Sequence, residues 1–97
     1  MADFVVRLDC RARRDLQKLE PSAQAAIKEG LLSLQGNPFP HGKRIKKMKG
    51  FQRAIYRLRI DSAEGSFRVL YWFAGSDIIV MRIVPRKNLD RAARALK

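Results

Sequence analysis

One cysteine and one histidine are all that the chain offers as soft metal ligands or redox groups. Cys10 has no partner for an intramolecular disulfide, which fits a reducing cytoplasm. It is expected to be a small buried or half-buried residue rather than a nucleophile. His41 stands in a loop segment, and Cys10 with His41 is too thin a set for zinc. No glycine-rich loop follows a strand and opens a helix, so a nucleotide cradle is not signalled. Serines are few, and no local pattern supports a serine–histidine–acid arrangement. The nine acids are scattered, which argues against a paired-carboxylate site. The reading is therefore of no metal and no cofactor. No apolar run reaches membrane-spanning length and no charged-then-apolar leader opens the sequence, so the expected location is the cytoplasm.

What the chain has in excess is positive charge. Its 21 Lys/Arg against nine Asp/Glu give a net charge of +12. The excess is one-sided. Residues 1–42 hold six cations and five acids, whereas residues 43–97 hold fifteen and four. Thirteen of the cations are arginine, whose planar fork suits phosphate and carboxylate and never deprotonates. Such a surface points to a polyanion: nucleic acid, an acidic protein or an anionic membrane surface.

At 97 residues with 46% apolar content, the chain reads as one domain, 1–97, with a single continuous core. Residues 4–8 read as a strand. Asp9 is placed to cap a helix over 11–19, with Ala12, Leu16 and Leu19 on one face. Pro21 breaks that run and suits the first turn of a second helix, where Ala23, Ala26, Ile27, Leu31 and Leu34 recur through about residue 35. Residues 37–42, with two prolines and a glycine, form a loop. Lys43–Gly50 reads as a short edge strand or an irregular arm. Residues 52–60 alternate cleanly, with Ala54, Tyr56, Leu58 and Ile60 on one face and Arg53, Ile55, Arg57 and Arg59 on the other. Residues 67–73 and 78–84 are apolar on both faces apart from Arg68 and Arg82, and short turns at 62–66 and 75–77 make an antiparallel meander. Pro85 ends the sheet. Asn88 stands where a cap would begin a last helix with Leu89, Ala92, Ala93 and Leu96 as its stripe and Arg91, Arg94 and Lys97 as its polar side. The fold class is α+β: a strand, a helical hairpin packed on one face of a meander, and a short C-terminal helix.

The arginines carry the chemistry, if there is any. Arg57 and Arg59 project from one strand face about 7 Å apart. Arg68 lies on the next strand, Arg82 on the third, and Arg86–Lys87 at its end. A convergent set of this kind can hold a phosphodiester and stabilise the charge of its transition state. The plain alternative is an open solvated face, with Arg82 paired to Asp77 or Asp61. Tyr56, Tyr71, Trp72 and Phe73 are candidates for base stacking, but the strand alternation assigns Tyr56, Phe67, Tyr71 and Phe73 to the core. Trp72 is left to line a groove or lie beneath the last helix or a partner.

The run Tyr56-Arg57-Leu58-Arg59-Ile60, then Phe67-Arg68-Val69-Leu70-Tyr71, then 78–84 closed by Arg86-Lys87, resembles the RelE/ParE superfamily of bacterial toxins over nearly the whole chain. The resemblance implies the toxin of a type II toxin–antitoxin pair, of the RelE branch: a ribosome-dependent endoribonuclease that cleaves mRNA with basic residues, without metal or cofactor. It implies Arg57, Arg59, Arg68 and Arg86 or Lys87 as catalytic. Their roles would be to activate the ribose 2′-hydroxyl, stabilise the phosphate and aid the leaving 5′-oxygen. Lys43, Arg44, Lys46, Lys47, Lys49, Arg53 and Arg82 would then contact RNA or the ribosome. The implied partners are a cognate antitoxin, the ribosome with its mRNA, and operator DNA only through the antitoxin, with no membrane. The sequence departs from the branch in two places. Arg57 and Arg59 stand where its best-known members carry lysine, and no tyrosine follows Lys87. Two alternatives share the fold: a ParE-like inhibitor of DNA gyrase without nuclease activity, and an inactive or regulatory member.

Overall fold

The computed structural model describes residues 4–96; Lys97, read above as part of the last helix, lies outside them. Strand β1 (Val5–Leu8) is followed by helices α1 (Cys10–Gln17) and α2 (Pro21–Gly36). Strands β2 (Ile45–Lys47), β3 (Tyr56–Ser62), β4 (Gly65–Ala74) and β5 (Asp77–Pro85) follow, then a single 3₁₀ turn (Arg86–Asn88) and helix α3 (Leu89–Ala95). The sheet runs β1-β5-β4-β3-β2. Strands β2 to β5 are antiparallel to their neighbours, and β1 closes the sheet in parallel against β5. The fold is thus α+β, and the basic arm is an edge strand at its centre.

Local chemistry explains the helical hairpin. The Asp9 side chain accepts the Ala12 N–H at 3.0 Å, supplying a partner that the first turn of α1 otherwise lacks. Pro21 opens α2 at a position where a missing N–H costs nothing. Ala12 of α1 and Ala23, Ile27, Leu31 and Leu34 of α2 bury against Leu58, Ile60, Phe67, Val69, Tyr71, Ile78, Val80 and Ile83 of the sheet. Each large aliphatic side chain buried this way contributes roughly 1.5–3 kcal/mol. Gly30 lets α2 sit close: a Cβ there would come within 2.5 Å of Ile60 Cδ1.

The opposite sheet face carries a smaller cluster. Leu70 and Val84 pack with Ala92, flanked by Met48, Leu89 and Leu96. Strand β5 serves both faces through a bulge. Tyr71 pairs with Val80 but Leu70 pairs with Arg82, so Met81 is an extra residue and the alternation flips. Val80 and Ile83 therefore both face the hairpin.

Four expectations need correction. The strand read from residue 52 begins at Tyr56; the preceding segment loops so that buried Ile55 can accept the Met48 N–H through its carbonyl at 2.7 Å. Asn88 makes no capping bond, because the chain enters α3 directly from the 3₁₀ turn after Pro85. Cys10, expected to be at least half-buried, is exposed in the first turn of α1. Arg82 pairs with neither Asp77 nor Asp61. Its guanidinium holds Asp15 of α1 through two hydrogen bonds of 2.8 and 3.2 Å. Asp15 also accepts the Ile83 N–H at 2.9 Å, and so covers β5 beyond the end of β1. This pairing raises the Arg82 pKa, chiefly through the Asp15 hydrogen bond.

Candidate functional site: a guanidinium pocket

Strand register brings the arginines together. Arg59 lies directly opposite Arg68 across the β3–β4 pair, and Arg57 lies opposite Leu70 on that face. Lys46 of β2 stands opposite Arg57. Arg68 is in turn level with Val84 of β5, and Arg86 follows where that strand ends. The hairpin occupies the other face, so this set lies on the sheet face that carries α3. Lys43, Lys46, Arg57, Arg59, Arg68 and Arg86 line one concavity of about 380 Å³, together with Leu89 and Asp90.

Arg68 is the centre of this arrangement. It is 5% exposed, the only buried charged residue among those described. One of its terminal nitrogens donates to the Phe67 carbonyl at 3.0 Å, but its buried Nε has no partner. Burial first, and then the charges of Arg57, Arg59 and Arg86, lower its pKa from the ordinary arginine value, with Asp61 opposing. Arg59 alone in the set has a counter-ion, Asp61 at 3.1 Å. Arg57, Arg68 and Arg86 form no ion pair with any described residue. Asp61 is itself held below its ordinary carboxylate value, mainly by the Ser66 hydroxyl and then by Arg59.

The other expected cations are dispersed. Lys87 is exposed in the 3₁₀ turn and does not line the concavity. Arg44 donates to the Ser33 hydroxyl at 3.0 Å and faces a neighbouring cleft with Lys43 and Arg59. Lys47 and Lys49 are exposed on the basic arm. Arg53 lies in the loop before β3 and covers Trp72, 3.9 Å from the ring centroid. Arg82 is committed to Asp15. Tyr71 is core: it stacks on Tyr56 and its hydroxyl donates to the Pro38 carbonyl at 2.7 Å. Asp90 escaped the sequence reading. It is legible only as an acid in the first turn of a helix, and its place in the concavity lining depends on how α3 packs.

Comparison with known proteins agrees with this architecture. A family model described as phage-derived protein Gp49-like matches residues 14–97. A protein of Methanocaldococcus jannaschii assigned as the toxin RelE1 is 38% identical over 87 residues, covering 88% of this chain and 91% of the relative. The toxin–antitoxin complex RelBE2 of Mycobacterium tuberculosis contains a chain that superposes with a TM-score of 0.71 at 26% identity. That match covers 87% of this chain and 99% of the other. A mutant of the E. coli toxin RelE in the free state shares the fold at a TM-score of 0.74 and 17% identity, covering 99% and 96%. On the family match, the level of identity and the shared architecture, the chain belongs to the Gp49-like family, among the RelE-type toxins.

Proposed function

We propose that this protein is the toxin of a type II toxin–antitoxin pair and cleaves mRNA on the ribosome, with the Arg57–Arg59–Arg68–Arg86 pocket as its active site. The observation that carries the reading is Arg68: a buried arginine whose Nε has no partner, ringed by like charges and lacking an acid of its own. Such a cluster costs folding free energy. A phosphodiester supplies the missing counter-charge, and arginine forks match its oxygens two at a time.

In this reading the ribose 2′-oxygen attacks the adjacent phosphorus and the bond to the 5′-oxygen breaks. Arg68 and Arg59 hold the non-bridging oxygens as charge builds on them. Arg86 stabilises the departing 5′-oxygen. One pre-organised donor of this kind is worth about 10²–10³ in rate. Arginine is a poor proton acceptor and a lysine ammonium has no free lone pair, so the 2′-hydroxyl proton goes to Asp90, the carboxylate that lines the concavity. The ribosome supplies the extended mRNA that the shallow concavity does not itself hold.

The partner that silences the toxin is a cognate antitoxin, as in the RelB–RelE complexes whose fold it shares. A second groove, of about 780 Å³, has Phe51, Ile55, Met81 and Leu96 among its lining and Arg11 and Arg53 beside them. It suits an amphipathic segment with acids flanking its apolar anchors. Among the described residues no helix is long and apolar enough to cross a membrane.

The test is induction in cells with primer extension on mRNA. The wild-type protein is expected to arrest growth and cut within translated codons. Arg68→Ala is expected to do neither while still binding antitoxin within tenfold. A folded Arg68→Ala protein of full toxicity, or gyrase-linked DNA breaks with intact mRNA, would overturn the reading.

A further inference from the structure

Strand pairing sets four polar residues in a square on the sheet face that carries the guanidinium pocket. Arg59 and Asp61 lie two residues apart on β3, and hence on one face. Across the strand pair, Arg59 is level with Arg68 and Asp61 with Ser66. The Arg59 Nε donates to both Asp61 oxygens, at 3.1 and 3.4 Å. The Ser66 hydroxyl donates to Asp61 Oδ1 from the neighbouring strand. The carboxylate is thus anchored to β4 and grips Arg59 of β3. These contacts, Ser66 first, hold Asp61 below the ordinary carboxylate range, which keeps it charged at neutral pH. The terminal nitrogens of Arg59 form no hydrogen bond or ion pair with any described residue. Arg59 lines the concavity with Arg57, Arg68 and Arg86, whereas Asp61 does not.

The pair does little for the fold. Its side chains are 44% and 56% exposed, and pairs so open to water add little stability. What it supplies is orientation. Like charges directly opposite on paired strands repel, so an Arg59 side chain without an anchor would swing away from Arg68. With Nε held, the rigid guanidinium fork keeps its terminal nitrogens in one plane and free for another anion. Resting on the nuclease reading above, we infer that Asp61 is a positioning residue: it holds Arg59 opposite Arg68, so that both guanidinium groups meet one phosphate. Asp61 acts only through Arg59. Its own charge opposes an incoming polyanion, so its loss is expected to slow the chemical step without weakening mRNA binding.

The test is cleavage of mRNA on programmed ribosomes by the purified wild-type protein, Asp61→Ala, Asp61→Asn and Ser66→Ala, with kcat and KM measured separately. Asp61→Ala is expected to lower kcat at least about tenfold, since misplacing a catalytic group by roughly 1 Å can cost about 10²-fold. Its KM should stay level or fall. Asp61→Asn keeps an oxygen acceptor for Nε and is expected to restore most of kcat. Ser66→Ala loosens the anchor and is expected to give a smaller loss of the same kind. In an Arg59→Ala background, Asp61→Ala should have no further effect, because the group it acts through is gone. The assignment is overturned, while the nuclease reading stands, by an Asp61→Ala protein with unchanged kcat or raised KM. The same follows if Asp61→Asn is as slow as Asp61→Ala, or if the loss is equal with and without Arg59. Absence of cutting by the wild type removes both. Thermal melting identifies a variant that fails to fold; Ser66→Ala then decides in place of Asp61→Ala. If Arg59→Ala cuts too slowly to follow, the kcat and KM of the single variants decide.

Discussion

Arg68→Met is expected to stabilise the fold and abolish activity in the same molecule. Methionine keeps the long unbranched stem that packs between strands and removes the guanidinium. Three terms decide the sign. A buried donor without a partner, here Nε, costs about 1–3 kcal/mol. The like charge directly across the strand pair, Arg59, adds about 0.2–1 kcal/mol of repulsion. Against these, the bond to the Phe67 carbonyl is lost, at about 0.5–1.5 kcal/mol. The balance is a gain of about 1 kcal/mol, or roughly 4–8 °C in Tm for a domain of this size. Urea titration and thermal melting at low and high salt measure it. The gain should shrink at high salt, which screens the Arg59 term. A variant destabilised by more than about 1 kcal/mol would refute the argument, since it would mean that the Arg68 charge is satisfied within the fold.

The remaining predictions concern the scaffold. Arg82→Gln breaks a mostly buried pair, with side-chain exposures of 26% and 15%, and is expected to cost about 1–3 kcal/mol; the cutting rate per folded molecule should not change, which refolding-corrected kinetics will show. Gly30→Ala gains helix propensity of about 1 kcal/mol but drives a methyl into Ile60 at about 1–3 kcal/mol. It should destabilise alone and become neutral or stabilising with Ile60→Val, which removes Cδ1, in a double-mutant cycle. Burial, with Tyr56 adding to it, raises the Tyr71 pKa above its ordinary value of 10.0. The neutral phenol is thus held in the fold but not in the unfolded chain, so its contribution is fully present below pH 10 and lost as pH rises further. Alkaline denaturation is expected to begin near pH 10 and to be shallower in Tyr71→Phe.

Much of this architecture is readable in the residues themselves. Asp9 and Pro21 punctuate the hairpin through bonds and φ angles that act within one helical turn. The meander is written in strand runs separated by short turns, and the Tyr-Arg-Leu-Arg strand fixes Arg57 and Arg59 on one face by period alone. What stayed hidden depends on distant contacts. Arg82 finds Asp15 across 67 positions, and no periodicity announces that. The bulge at Met81 changes which residues of β5 face the hairpin without leaving a glycine or proline as a marker. Alternation continues unbroken from Arg53 into β3, yet the chain loops there because Ile55 bonds Met48 and Arg53 lies over Trp72. Asp90 reads as an ordinary helix-surface acid, and only the packing of α3 on the arginine face sets it in the same concavity as the guanidinium groups.

In the proposed reaction guanidinium groups drive attack by a ribose hydroxyl, and the chemistry of the cut ends tests this most directly. Programmed ribosomes treated with the purified toxin are expected to yield mRNA fragments ending in a 2′,3′-cyclic phosphate and beginning with a 5′-hydroxyl, with no such fragments from Arg68→Met. Fragments carrying a 3′-hydroxyl and a 5′-phosphate, or equal yields from the Arg68→Met protein, would contradict it.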